Sequence, residues 1–218
     1  MCFSATASFV AGSTLSIAGI AILVRVEHAR EVPLASIPLL FGVQQLAEGV
    51  VWISLESHRE VLNTVATYVY SAFSHVVWPV LVPIAVGLLE TVPWRRRLLR
   101  GAQAIGIAVG IYLLYSMVRY SIASTITGRS IDYVSPNFYI VVVMAAYFAA
   151  TLGSPLMSSY RSINLFGFLG LIGAVAAYLV RATTFISAWC FFAAVVSVAI
   201  YRYFMHSTRD QPVVSAAG

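Results

Sequence analysis

Seven long apolar runs, separated by short charged or proline-bearing links, constrain this chain more than any other feature. Hydrocarbon about 30 Å thick takes roughly 20 apolar residues per helical crossing. Runs near that length lie at Ala5 to Val24, Leu34 to Leu55, Thr64 to Leu89, Gly101 to Tyr120, Asn137 to Leu152, Ile163 to Val180 and Thr184 to Met205, the fifth being the shortest. Barrel strands alternate apolar and polar residues over about ten positions, whereas Tyr139 to Ala150 is apolar on every side. The spacing therefore predicts an all-α integral membrane bundle of seven transmembrane helices, a single domain over residues 1–218 with a short cytoplasmic tail at 206–218. Composition agrees: 10% of residues are charged, against about 25% in a soluble domain. That leaves too little polar surface for a water-soluble enzyme, and two cysteines are too few for a disulfide scaffold.

Every basic residue is an arginine. Without a lysine there is no retinal Schiff base, no pyridoxal phosphate attachment and no P-loop, and no cofactor is expected. The net charge of +5 does not indicate nucleic acid, because the arginines are scattered at helix ends, where membrane topology places them. With the N-terminus outside, nine arginines fall in inner segments (Arg25, Arg30, Arg95, Arg96, Arg97, Arg100, Arg161, Arg202 and Arg209) and four in outer ones (Arg59, Arg119, Arg129 and Arg181). Short-loop arginines are retained on the cytoplasmic side, so the N-terminus is expected outside and the C-terminus inside. The first run lacks the basic n-region of a cleaved signal and is read as a membrane helix.

Ionisable groups within hydrocarbon are functional candidates by default, and two lie well inside a run. Glu48 sits two-thirds of the way along the second, and His75 near the middle of the third. Gln44, Glu48 and Trp52 share one helical face with Gln45 beside it, and Thr64, Tyr68, Ser71, His75 and Trp78 form a second stripe with Ser74 adjacent. On antiparallel neighbours the two stripes face each other. At 1.5 Å per residue, Glu48 falls roughly 10 Å and His75 roughly 16 Å below the outer helix ends. An outward-open polar cavity is expected, lined by Glu48, His75, Gln44, Gln45, Ser71, Ser74, Tyr115 and Arg119. The competing reading has Arg119 and Arg181 snorkelling to the headgroups, with Tyr115 and Tyr178 in an interfacial belt.

Pro79 and Pro83 predict a kink beside His75. The histidines are dispersed, with no HxxxH or HExxH, so neither a zinc nor a bis-histidine haem site is expected. No GxSxG elbow marks a serine nucleophile. Cys2 would become an N-terminal thiol if Met1 were removed, with its own amine as base, and Cys190 lies at a similar depth, where an oxidising exterior would permit a disulfide. Small-residue faces at Gly12 and Ser16, at Gly106 and Gly110, and along Gly167, Gly170, Gly173, Ala174 and Ala177 allow close helix approach. They serve packing within the bundle or, alternatively, a homo-oligomer contact.

The opening MCFSATASF, the segment PLLFGVQQLAEGVVW from Pro38 to Trp52, and HVVWP from His75 to Pro79 resemble an uncharacterised family of small bacterial integral membrane proteins. The resemblance implies a multi-pass protein of the bacterial inner membrane and carries no biochemical function. Two classes of function follow from the residues. One is a small transporter or ligand-binding protein, its partners the bilayer and a small-molecule or lipid ligand, coupled to protonation of Glu48 and His75. The other is an intramembrane hydrolase acting on a lipid or small amphiphile, with His75 as base beside Ser71, Ser74 or Cys2. The odd helix count, the proline kink and the missing metal motifs favour the first.

Overall fold

The computed structural model describes residues 4–128, 130–136 and 140–180, with Trp189, Ala194, Ser197, Ile200 and Phe204. Helix α1 (Ala5–Leu23) starts where the Ser4 hydroxyl accepts the Ala7 N–H at 3.2 Å, satisfying a first-turn donor. A 3₁₀ turn (Ala29–Glu31) and α2 (Val32–Ala35) lead into α3 (Ile37–Glu56). Helix α4 (Glu60–Ser71) passes through a π turn (Ala72–Val77) into α5 (Trp78–Leu89), and α6 (Pro93–Arg119) follows. Strands β1 (Ala123–Thr127) and β2 (Ser130–Val134) come next. Helix α7 (Val141–Phe148), a second π turn (Ala149–Gly153), α8 (Ser154–Leu156) and α9 (Arg161–Val180) complete the described elements.

Among the described residues, five helical units are long and apolar enough to cross a membrane: Ala5–Leu23, Ala29–Glu56, Glu60–Leu89, Pro93–Arg119 and Arg161–Leu179. They match the first, second, third, fourth and sixth predicted runs. The fifth is shorter, an apolar helix over Val141–Leu156. The predicted seventh helix, Thr184 to Met205, falls outside the described residues but for isolated positions, and Cys2, Cys190, Arg129 and Arg181 lie outside them too.

The small-residue faces bring helix backbones together within the chain. A Cβ on Gly12 would stand 2.9 Å from the Gly42 carbonyl oxygen, and one on Gly106 would collide with the Pro79 carbonyl. Gly12 seats α1 on α3, Gly106 and Gly110 seat α6 on α5, and Gly167 seats α9 on α8. Packing of this kind is the main attraction between helices where lipid removes the hydrophobic drive.

One expectation is corrected. The link between the fourth and fifth runs is not a plain connection, and the fold is not purely helical: β1 and β2 pair antiparallel from Ala123 with Val134 to Thr127 with Ser130. Gly128 in the turn has φ 67°, the left-handed backbone that tight hairpin turns require. Alternation in Ala-Ser-Thr-Ile-Thr and Ser-Ile-Asp-Tyr-Val puts Ile131 and Tyr133 on one face. Both are buried, in a cluster with Val51, Trp52, Ala66 and Tyr70, and the hairpin thereby closes one end of the bundle.

Candidate functional site

The polar stripe of α3 meets the α4–α5 unit in layers. In the deepest, Trp78 Nε1 donates to Gln44 Oε1 at 2.7 Å, and Phe41 stacks on Trp78 at 3.9 Å. The two helices run antiparallel, so one turn along α3 to Glu48 and one turn back along the α4–α5 unit to Ser74 and His75 reach the same level. A further turn in the same directions reaches Trp52 and Tyr70, with the Tyr133 ring stacked on Tyr70 at 4.3 Å. Above them Asn63 Nδ2 donates to Ser54 Oγ at 3.2 Å and to Ser124 Oγ at 2.9 Å, and Thr67 Oγ1 donates to Ser124 Oγ at 2.8 Å. This last layer fastens β1 to α3 and α4. Helix α1 adds buried Ser8, next to Phe9, which packs over Gly49.

The π turn explains how His75 is aimed. Pro79 has no N–H to offer one turn back, and the chain takes up the lost ladder bond in a wider turn, of the kind often found at functional positions. The freed Ser74 carbonyl accepts the Tyr147 hydroxyl at 2.6 Å. Within the turn, His75 Nδ1 lies 2.8 Å from Ser74 Oγ and 3.2 Å from the Ser71 carbonyl, and Ser74 Oγ donates to that carbonyl at 3.3 Å. A carbonyl can only accept, so these partners assign the proton to Nδ1 and leave the lone pair on buried Nε2.

Gln44, Gln45, Glu48, Ser71, Ser74 and His75 are each at most 1% exposed. The structure buries six of the predicted site residues, on α3 and on the α4–α5 unit, but corrects the outward-open cavity: they are packed shut beneath the hairpin. It also separates two residues from that cluster. Tyr115 is 62% exposed, and Arg119 is exposed at the end of α6, its guanidinium 5.5 Å from the Tyr120 ring. The face of α6 turned inward carries Leu113, Ser116 and Met117 instead. Thr64 leaves the predicted stripe, since its exposed hydroxyl bonds back to the Glu60 carbonyl while Thr67, Tyr70 and Ser71 are buried. A π turn adds a residue, so a 3.6-residue period carried back from His75 arrives on the wrong face. The cavity near this cluster is apolar, about 30 Å³, and lined by Phe41, Trp78, Val82, Phe166 and Trp189 among others.

Several atoms of the cluster are costly. Among the described residues, Gln45 Nε2 and Oε1, Gln44 Nε2, Trp52 Nε1, Ser71 Oγ and Ser8 Oγ are buried with no hydrogen-bond partner. Each such group costs about 1–3 kcal/mol relative to water. The described residues include no group of three His, Cys, Asp or Glu placed to hold a metal ion.

Sequence reasoning missed the hairpin and Glu90. The hairpin had a legible signal in its alternation around Thr-Gly, hidden by the surrounding apolar runs. Glu90 had none, because Ser159, which supplies two of its four donors, is remote in sequence. Its carboxylate, 3% exposed, accepts from the Thr91, Val92 and Ser159 N–H groups at 3.0, 2.9 and 2.8 Å and from the Ser159 hydroxyl at 2.8 Å.

A profile described as a family of unknown function (DUF6629) matches residues 1–216. No curated protein and no solved structure shows significant similarity to the chain.

Proposed function

Starting from a chain that belongs to the DUF6629 family, whose description brings no activity with it, we propose a membrane protein that binds and moves a small polar solute. The binding chamber is the cluster of Gln44, Gln45, Glu48, Ser71, Ser74 and His75. Glu48 and His75 exchange protons as the chamber opens and closes, and the described conformation is the closed one. In this reading seven helices cross a bacterial plasma membrane with the N-terminus outside, and the hairpin is the outer gate.

Gln45 carries the reading. A fully buried amide with both polar atoms unpartnered among the described residues lowers stability, and a polar guest repays that cost on binding. Thermal unfolding of the purified protein with a panel of small amines, amides and carboxylates, across the histidine titration range, tests it. A solute that raises Tm for the wild type and not for Gln45→Leu, with Glu48→Gln removing the pH dependence, is the expected result. Retention of every solute response in both variants would leave only a helix-tying role.

The gate is tested separately with Thr67→Cys and Ser124→Cys in a background where Cys2 and Cys190 are serine. Oxidation should block modification of Gln45→Cys by a small thiol reagent, and reduction should restore it. Labelling unaffected by oxidation removes the gate and spares the chamber. Reporter fusions should place Arg95–Arg100 in the cytoplasm, and finding that link outside overturns the orientation.

The hydrolase reading draws on the 2.8 Å approach of Ser74 Oγ to His75 Nδ1. The geometry argues against it, because Nδ1 carries the proton in the assignment above and the lone pair points away from the serine. Ser74→Ala eliminating turnover of a lipid ester would restore it.

A further inference from the structure

At the end of the bundle opposite the hairpin, Thr91, Pro93, Arg96, Arg97 and Arg100 line a groove of about 380 Å³. We propose that this groove binds the phosphate of an anionic glycerophospholipid.

Four observations bear on it. First, the three guanidiniums of Arg96, Arg97 and Arg100 have no hydrogen-bond or ion-pair partner among the described residues, and no acidic side chain lines the groove. Arg95 behaves differently: it turns away and donates to the Met157 and Ser158 carbonyls at 3.1 and 2.7 Å. The triplet is thus divided between one structural arginine and others left facing the groove.

Second, the cations stand at the wrong end of a helix. α6 begins at Pro93 with no side-chain cap and no acidic residue in its first turn, and its positive dipole end repels Arg95, Arg96 and Arg97. A bound anion reverses the sign of that interaction and meets uncapped N–H groups as well. Third, the neighbouring carboxylate is committed elsewhere. Glu90 faces Ser159 and the Thr91 and Val92 N–H groups, so it neither neutralises nor occupies the groove.

Fourth, the surroundings belong to a membrane boundary. Trp94 is 55% exposed and Leu98 49% exposed on the same helical turns. An exposed indole beside arginines sits at headgroup depth, where a phosphodiester with acyl chains alongside Leu98 fits better than a freely diffusing ion. Guanidinium forks suit phosphate because they bind two of its oxygens at once.

The test is native mass spectrometry of the full chain released from detergent, with phosphatidylglycerol, phosphatidylcholine or inorganic phosphate as probe. Phosphatidylglycerol should form a retained adduct in preference to phosphatidylcholine. Affinity should fall about fivefold per arginine removed, hence on the order of 100-fold for Arg96→Gln, Arg97→Gln and Arg100→Gln together. Replacing the same three by lysine keeps the charges that orient the chain and loses only the paired geometry, so it should give a smaller but measurable loss. Arg25→Gln with Arg30→Gln is the control and should leave binding unchanged. Equal retention of both lipids, equal loss in the control, or displacement by inorganic phosphate as effective as by lipid would overturn the proposal. The groove is separate from the polar chamber, so Gln45 and Glu48 variants should bind the lipid as the wild type does.

Discussion

Two carboxylates are buried among the described residues, and their surroundings could hardly differ more. Glu90 accepts four hydrogen bonds, three of them from backbone N–H groups, and binds the link before α6 to the link before α9. Glu48 lies inside the bundle among Gln44, Gln45 and Trp52, whose side chains leave polar atoms unpartnered among the described residues. A carboxylate whose lone pairs are met by the fold is a structural clamp. One set among unmet donors and acceptors lies in a site with capacity left for a guest. Burial alone does not separate the two, and the neighbours' hydrogen bonds do.

The contrast can be broken at several points. The largest effect is expected at the clamp: Glu90→Ala orphans four donors and should lower unfolding stability by about 3–5 kcal/mol, read by thermal unfolding in detergent. An effect under about 1 kcal/mol there would make the two carboxylates equivalent. Next is Tyr133→Ala, which removes the ring stacked on Tyr70 and opens a cavity under the hairpin. Its expected cost is about 3 kcal/mol, with faster hydrogen exchange confined to the hairpin and the ends of α3 and α4.

Gln45→Leu should have the opposite sign, raising stability by about 1–2 kcal/mol because an unpartnered amide leaves the core. A drop in Tm would show Gln45 to be paired. The smallest effect belongs to Asp132 on β2, outside the membrane-length helices, where desolvation raises the carboxyl above its usual range. The docked hairpin then favours the protonated form. Docking is strongest below the free carboxylate pKa, weakens as pH rises from there through the raised value, and is level above it. Asp132→Asn should flatten that dependence, measured by hairpin hydrogen exchange against pH.

Most of the helical architecture was open to reading without coordinates, because apolar run length is a local property and hydrocarbon thickness sets its scale. The Gln44–Glu48–Trp52 face was legible for the same reason, being a repeat of four within a single regular helix. The opposite stripe was legible only near His75. Beyond the π turn the period fails, and Thr64 does not occupy the face that the period gives it. Depth alone puts Tyr115 and Arg119 in the cluster, whereas rotation of α6 about its axis decides which residues face inward. That rotation follows from Gly106 and Gly110 seating on Pro79 and Val80, a contact between segments distant in the chain.

By itself the sequence determined that this chain carries helices long and apolar enough to cross a membrane, that Glu48 and His75 fall inside two of them, and that small residues mark the helix contacts. Each rests on residue type within a single segment, where transfer cost and helical period are sufficient. Only the tertiary structure decided that the polar cluster is closed, that a hairpin covers it, and that Glu90 is a clamp while Gln45 is left unmet among the described residues. Hydrogen-bond satisfaction is a property of pairs, and Ser159 stands 69 residues from Glu90, a separation across which no local pattern in the chain carries information.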